Sequence, residues 1–207
     1  MTSDKKEKHL VIGSAGEVGK ALVSILKCDG HDPKKGVFAS GDYDVLHIAI
    51  PYGDNFEKLV RMYKATFGSS LVIIHSTVPV GTSRGLGAVH SPIRGTHPDL
   101  EVGIRTFTKF FGGKRADEAA SFFSSLGIHT ETIDNPEETE AAKLMDTFQY
   151  GVMIALSKAI YAYCDERGLD FDLVYKRFNE SYNGGYDALG RPEVVRPVLK
   201  HVSGPIG

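Results

Sequence analysis

The chain has 207 residues, 42% hydrophobic and 24% charged, a balance that belongs to folded globular proteins with a sizeable core and excludes extended disorder. A formal net charge of −2 offers no basic field for nucleic acid, and no run of about 18 apolar residues is present to cross a bilayer. Cys28 and Cys164 stand far apart outside any Cys-x-x-Cys pair, and the polar head from Met1 to Lys8 is no signal peptide, so the expectation is a cytoplasmic protein without structural zinc.

The first element is the apolar run His9-Leu10-Val11-Ile12, which reads as a strand leading into Gly13-Ser14-Ala15-Gly16-Glu17-Val18-Gly19. Glycines between a strand and a helix let the backbone turn sharply and approach a pyrophosphate, whose charge then sits on the N–H groups at the helix start. The spacing is Gly-x-x-Gly-x-x-Gly; with Gly16 and Gly19 as the second and third glycines of a dinucleotide fingerprint, the first place falls to Ser14. Gly13, Ser14, Gly16, Glu17, Val18 and Gly19 are therefore the expected phosphate cradle. Asp32, 19 residues after Gly13, is placed to hydrogen-bond a ribose hydroxyl. Its charge favours NAD by repelling a 2′-phosphate, which Lys34 and Lys35 would instead attract. The competing reading is a tight turn with no ligand.

From Glu17 to Leu26 the residues Val18, Ala21, Leu22 and Ile25 recur at helical spacing, and Gly30 to Pro33 marks a short second strand or its end. Asp44 to Ile50 is a nearly continuous apolar run bounded by Gly41 and Pro51, as in a strand covered on both faces. Asp54, with Glu57 three residues on, opens a helix to about Phe67. Leu71 to His75 is another buried strand, and it delivers Ser76 and Thr77 at its C-terminal end. That edge is where ligands bind in open α/β sheets, so Pro51 and Ser76 are candidates for cofactor contact. His90 to Arg105 shows no regular pattern; Thr106 to Phe111 reads as a strand, Ala116 to Leu126 as a helix and His129 to Ile133 as a last strand. His90 and His97, seven residues apart without an acidic or cysteine partner, make a weak case for a metal, and none is expected. Alternating strands and helices over residues 9–133 predict an α/β fold with a Rossmann-like, doubly wound parallel sheet.

At Asn135 the pattern changes. Asn135 as cap, Pro136 at the first helical position and Glu138 at the third open a long helix ending near Gly168. Between Phe148 and Cys164 it is apolar on most faces, so a second helix or a second subunit must cover it, and Cys164 is read as packing. Asp170 caps a short helical appendage with Phe171, Val174 and Phe178 as its buried stripe, and Ser181 to Gly207 has no clear periodicity. The expected organisation is a dinucleotide-binding domain over residues 1–134 and a helical dimerisation segment with an irregular tail over 135–207.

Several of these segments come in a familiar order. The glycine loop, Ser76-Thr77-Val78-Pro79-Val80-Gly81-Thr82, Ser91-Pro92, Phe111-Gly112-Gly113 and Glu140-Ala141-Ala142-Lys143-Leu144 together resemble the UDP-glucose/GDP-mannose dehydrogenase family over most of the chain. The helix from Lys143 to Gly151 is also similar to the catalytic helix of 6-phosphogluconate dehydrogenases, in the same wider superfamily. The resemblance implies an N-terminal NAD-binding domain, a central helical segment that forms a homodimer, and hydride transfer to NAD from an anionic sugar or nucleotide sugar. It implies that Lys143 stabilises the reacting oxygen and that Thr77 positions a catalytic water. Lys143 lies early in an increasingly apolar helix, a position that sets it apart from an ordinary solvated lysine.

The chain departs from the family in three places. Thr147 stands one turn after Lys143 where the family has an asparagine; a hydroxyl still donates, so Thr147 stays among the catalytic candidates. Ile93 follows Ser91-Pro92 where a glutamate is expected, leaving Arg94 and His97 as candidates to face an anionic substrate. The sequence reaches Ser203 to Gly207 and stops before the family's nucleophilic cysteine and second α/β domain, so oxidation on to a carboxylate has no covalent route. An abbreviated relative or a truncated product is expected. A dinucleotide-binding dimer that does no chemistry accommodates the same departures. Two other enzyme readings fit less well. A short-chain dehydrogenase needs a Tyr-x-x-x-Lys pair that is absent, and the hydrolase-like Gly81-Thr82-Ser83-Arg84-Gly85 is separated from its strand by Val78-Pro79-Val80.

Overall fold

The computed structural model describes residues 7–95 and 98–199. They fall into two compact units divided between Leu144 and Met145.

In the first unit β1 (His9–Ile12) leads through the glycine loop into α1 (Glu17–Leu26), then β2 (Asp29–His31) and a 3₁₀ turn, Pro33–Lys35. There follow β3 (Val45–Ile48), α2 (Phe56–Thr66), β4 (Leu71–Ile74), α3 (Thr82–Leu86), β5 (Val89–His90) and α4 (Leu100–Thr106). The unit continues with β6 (Lys109–Gly112), α5 (Ala116–Ser125), β7 (Thr130–Ile133) and the start of α6 (Pro136–Glu166). Among the described residues the seven strands form one sheet in the order β2-β1-β3-β4-β5-β6-β7. β1, β3 and β4 are buried at every position because both their faces are covered. Val11, Val45, Ile73 and Phe111 pack on one side with Leu22 and Ile25 of α1 and Phe123 of α5. Leu10, Ile12, Leu46, Ile48 and Ile74 pack on the other with Phe56 and Val60 of α2. This is the expected doubly wound α/β fold.

Two details differ from the sequence reading. The stretch after His90, read as irregular, holds α4, whose Leu100 and Ile104 are one turn apart and buried; a Cβ on Gly103 would lie 2.5 Å from the Gly95 Cα, so the element is a tight backbone contact more than a periodic pattern. Thr106 ends that helix, so the next strand starts later, at Lys109. The sheet is parallel from β2 to β5, but β6 pairs with β5 antiparallel, at His90 and Gly112. The connection between them carries only α4, which packs against α1 instead of crossing back along the sheet, so the chain returns in the opposite sense.

The start of α6 is anchored to this unit by a buried carboxylate. Glu140 is fully buried and accepts from the Gly81 N–H (2.6 Å) and the Ser83 N–H (2.7 Å) at the start of α3. Asn135 caps α6, accepting from the Glu137 N–H (3.1 Å), and Arg84 reaches both Glu137 (2.6 Å) and Asn135 (2.9 Å).

The second unit holds the rest of α6, a π-helical turn (Asp172–Arg177) and α7 (Phe178–Ala188). Asp170 caps the turn as expected, accepting from the Asp172 N–H (2.9 Å). The anticipated stripe is not the buried one: Val174 and Phe178 are exposed and Tyr175 is buried, because the wider π turn changes the angular step per residue. Tyr175 stacks on Phe171 at 5.2 Å, donates to the Pro197 carbonyl (3.3 Å) and accepts from the Leu199 N–H (3.3 Å). α7 continues to Ala188 with no buried residue, which is why its sequence carries no periodicity. Phe148, Tyr150, Val152, Leu156 and Tyr163 of α6 are exposed on this chain. No described helix is long and apolar enough to cross a membrane.

Replacing Glu140 by Ala leaves the buried Ser83 N–H and the half-buried Gly81 N–H without their acceptor, so the first unit should lose about 2–4 kcal/mol of stability in urea denaturation. Glu137→Ala, which removes a half-exposed ion pair, should cost no more than about 1 kcal/mol.

Candidate functional site

The glycine loop is built by close backbone approach. Gly13 donates to the His31 carbonyl (2.8 Å) and accepts from the Gly16 N–H (3.1 Å). It sits at φ +82°, and a Cβ there would lie 2.5 Å from the Ala49 carbonyl oxygen at the end of β3. A Cβ on Gly19 would run into the Gly13 carbonyl, so this glycine lets α1 lie directly on the loop. Gly16 is the residue that caps α1, and it makes no side-chain bond to the helix start. The helix therefore starts with no side chain standing over its first turn, and the positive end of its dipole lies behind the loop.

The absent first glycine of the fingerprint also has a structural answer. A Cβ on Gly30 of β2 would lie 2.6 Å from both Cβ and Oγ of Ser14. The serine therefore occupies room that the neighbouring strand leaves empty. Sequence reasoning missed Gly30, although a glycine inside a short strand is itself a signal of close approach.

The loop opens into a cavity of about 520 Å³ at the carboxyl ends of β1, β3 and β4. Of the residues expected from sequence, Gly16, Glu17, Val18, Pro51, Ser76, Thr77 and Lys143 line it. Gly13, Ser14 and Gly19 lie behind the wall as the loop's own packing. Asp32 is tied to the loop, its carboxylate accepting from the Ala15 N–H (3.3 Å). Tyr52, His75, Ile93 and Leu100 are also in the wall and were not anticipated; the last two come from the stretch read as irregular. Arg94 is not a lining residue, and its guanidinium lies over the rings of Phe107 (5.6 Å) and Phe110 (5.9 Å). Thr147 belongs to the second unit, and His97 lies outside the described residues.

Polar bonds hold the wall in register. Ser76 Oγ donates to the Ile50 carbonyl (2.6 Å), fastening the end of β4 to the end of β3. His90 Nδ1 lies 2.8 Å from the Thr139 hydroxyl on α6, and burial pushes the His90 pKa down to about 4. Lys109 is buried beside His75; its Nζ donates to the Ser91 carbonyl (3.2 Å), lies over the rings of Phe111 and Phe123, and burial lowers its pKa to about 7. Neither cysteine lines the cavity: Cys164 is buried, and burial pushes the Cys28 thiol up to about 12. The described residues gather no group of three metal-ligating side chains.

No family model and no curated protein sequence matches the chain. Solved structures do. A UDP-D-ManNAc dehydrogenase from Pyrococcus horikoshii superposes with a TM-score of 0.71 at 16% identity over 84% of this chain and 57% of that one. The 3-hydroxyisobutyrate dehydrogenase of Mycobacterium tuberculosis gives 0.68 at 16% identity over 93% and 76%. An imine reductase from Myxococcus stipitatus, in complex with NAD+, gives 0.65 at 18% identity over 91% and 77%. The fold is therefore the Rossmann-like fold of these enzymes, and the chain spans just over half the length of the Pyrococcus protein.

A lysine with an ordinary value of 10.5 in the unfolded chain and about 7 in the fold binds its proton less well when native. Stability should therefore rise as pH is raised from about 7 toward about 10, the window in which the unfolded chain holds a proton that the fold does not. Urea denaturation of Lys109→Met across that range should be flat by comparison.

Proposed function

We propose that this chain is an NAD-dependent oxidoreductase that takes a hydride from an alcohol carbon of an anionic sugar or nucleotide sugar. The observation that carries the reading is the start of α1, which has no side-chain cap and opens into the cavity that Ser76, Thr77 and Lys143 also line. The N–H groups of the first turn hold the pyrophosphate, and Asp32 beside the loop takes the ribose hydroxyls. Pro51 and Ser76 bound the nicotinamide end. NAD supplies the hydride acceptor when bound. Lys143, the one lysine or arginine among the described lining residues, sets its charge against the substrate oxygen as negative charge develops there, and the Thr77 hydroxyl orients a water or donates to it. Ile93 and Leu100 keep bulk water from the reacting carbon. The complex of the imine reductase with NAD+ supports the cofactor, and the UDP-D-ManNAc enzyme supports the substrate class.

The exposed apolar residues of α6 support a homodimer formed through the helical segment. Two widely separated thiols suit the cytoplasm. A second reading, a dinucleotide-binding dimer without turnover, is favoured by two observations: neither cysteine lines the cavity, and Thr147 stands where the resembled family has an amide.

Titration with NADH, read by nicotinamide fluorescence, should show saturable binding that Gly16→Asp weakens at least about tenfold, or roughly 1.4 kcal/mol. Lys143→Ala should keep NADH affinity and lower turnover by about 10²-fold or more. Absence of turnover in both forms, with binding intact, would select the non-catalytic reading. In sedimentation equilibrium the wild type should run as a dimer and the double substitution Phe148→Glu, Leu156→Glu as a monomer.

A further inference from the structure

We propose that His9, His47, His75 and Lys109 form a proton path through the sheet of the first unit, joining its amino-terminal edge at Glu7 to the wall of the cavity. The three histidines stand on β1, on β3 and just past β4, each two residues further toward the carboxyl ends than the register of the strand before it. The ring nitrogens meet end to end: His9 Nδ1 lies 2.9 Å from His47 Nε2, and His47 Nδ1 lies 3.0 Å from His75 Nε2. His75 Nδ1 is 2.8 Å from the Ser91 carbonyl and 3.3 Å from Lys109 Nζ, while His9 Nε2 is 3.8 Å from a carboxylate oxygen of Glu7. His75 lines the cavity, and His9 lines a second one, of about 290 Å³, with Glu7.

Hydrogen-bond polarity gives this row two arrangements, and the charge on Lys109 chooses between them. A carbonyl accepts only, so in the arrangement that a neutral Lys109, with a lone pair and one donor fewer, favours, the His75 Nδ1–H donates to Ser91. His75 Nε2 must then accept from His47 Nδ1–H, and His47 Nε2 from His9 Nδ1–H. An ammonium at Lys109 donates to both the Ser91 carbonyl and His75 Nδ1. Each imidazole then carries its proton on Nε2, and His9 Nε2–H faces Glu7. The two arrangements differ by one proton. It enters at His9 Nε2; each ring releases the proton on Nδ1 as it gains one on Nε2; the last arrives on Lys109 Nζ. Only N–H bonds form and break.

The surroundings suit such a relay. α5 covers the row with the rings of Phe122 and Phe123, which hold the imidazoles in place without competing for their nitrogens. The charged and titratable groups facing it are Glu7 at one end, with Arg115 acting on Glu7, and Lys109 and His90 at the other. Burial holds His47 and His75 neutral well below the ordinary imidazole value, so neither rests as a trapped cation, whereas Lys109 changes charge near neutrality. Its use rests on the oxidoreductase reading: removal of a hydride from an alcohol also releases a proton, and the row, run in the opposite sense from Lys109 and His75 to His9 Nε2, carries that proton from the wall of the cavity to Glu7.

The test is long-range ¹H–¹⁵N correlation of histidine-labelled protein, which reads the tautomer of each ring without any turnover. Between about pH 9 and about pH 6, His9, His47 and His75 should change together from Nδ1–H to Nε2–H with one midpoint, that of Lys109. In Lys109→Met all three should stay Nδ1–H. In His47→Phe, His75 should still follow Lys109 while His9 no longer does. Three separate midpoints in the wild type, or one tautomer pattern unchanged across the range, would overturn the path even if both variants failed to fold. The NADH titration is scored separately, so loss of the cofactor reading and loss of the relay are different results.

Discussion

The close approach of the Gly13 turn to the end of β3 sets where every other part of the cavity stands. Because no side chain intervenes there, β1 can hand the chain to α1 within a few residues, and the helix starts at the carboxyl edge of the sheet. Gly19 extends the same contact by one turn, letting the helix rest on the loop it grew from. The apolar faces of β1, β3 and β4 then have a fixed helix to pack on, and Leu22 and Ile25 close the core beneath the cavity. Steric exclusion at two positions thus decides the orientation of a dipole.

A second constraint comes from the far end of the sequence. A buried carboxylate is tolerable only when its oxygens are supplied with donors, and Glu140 finds two in the backbone of the Gly81–Ser83 turn. The partnership holds the start of α6 against the strand ends that bear Ser76 and Thr77. Lys143, three residues later on the same helix, reaches the cavity as a result. Desolvation of one acid is the means by which a distant segment is brought to the site.

Legibility in the sequence followed the range of the interaction. The strands buried on both faces, α1 and the cap of α6 rest on local pattern, and they stand where periodicity and capping residues put them. Tyr175 could not be found that way, because a π turn breaks the helical count on which a stripe depends. α4 rests on contact between Gly103 and Gly95, and the reversal of β6 on where that helix docks, neither of which has a local signature. The same division runs through the site. Residues on the loop and at strand ends were readable, but Ile93 and Leu100 came from unpatterned chain, and Arg94 took an aromatic platform instead of the cavity. The row of histidines is the extreme case: each sits alone in an apolar strand, and only the register of three strands makes them neighbours.

The pairing of Ser14 with Gly30 bears on how such a loop changes over generations. The two positions share one small space, with the side chain now on the loop and the vacancy on the strand. A lineage moving between this arrangement and its mirror, with glycine in the loop and a side chain on β2, must pass through glycine at both places, because an ancestor with side chains at both would have no room for them. Order of substitution is therefore constrained by geometry. A pattern scanned along one stretch of chain sees only one of the two positions that share this space.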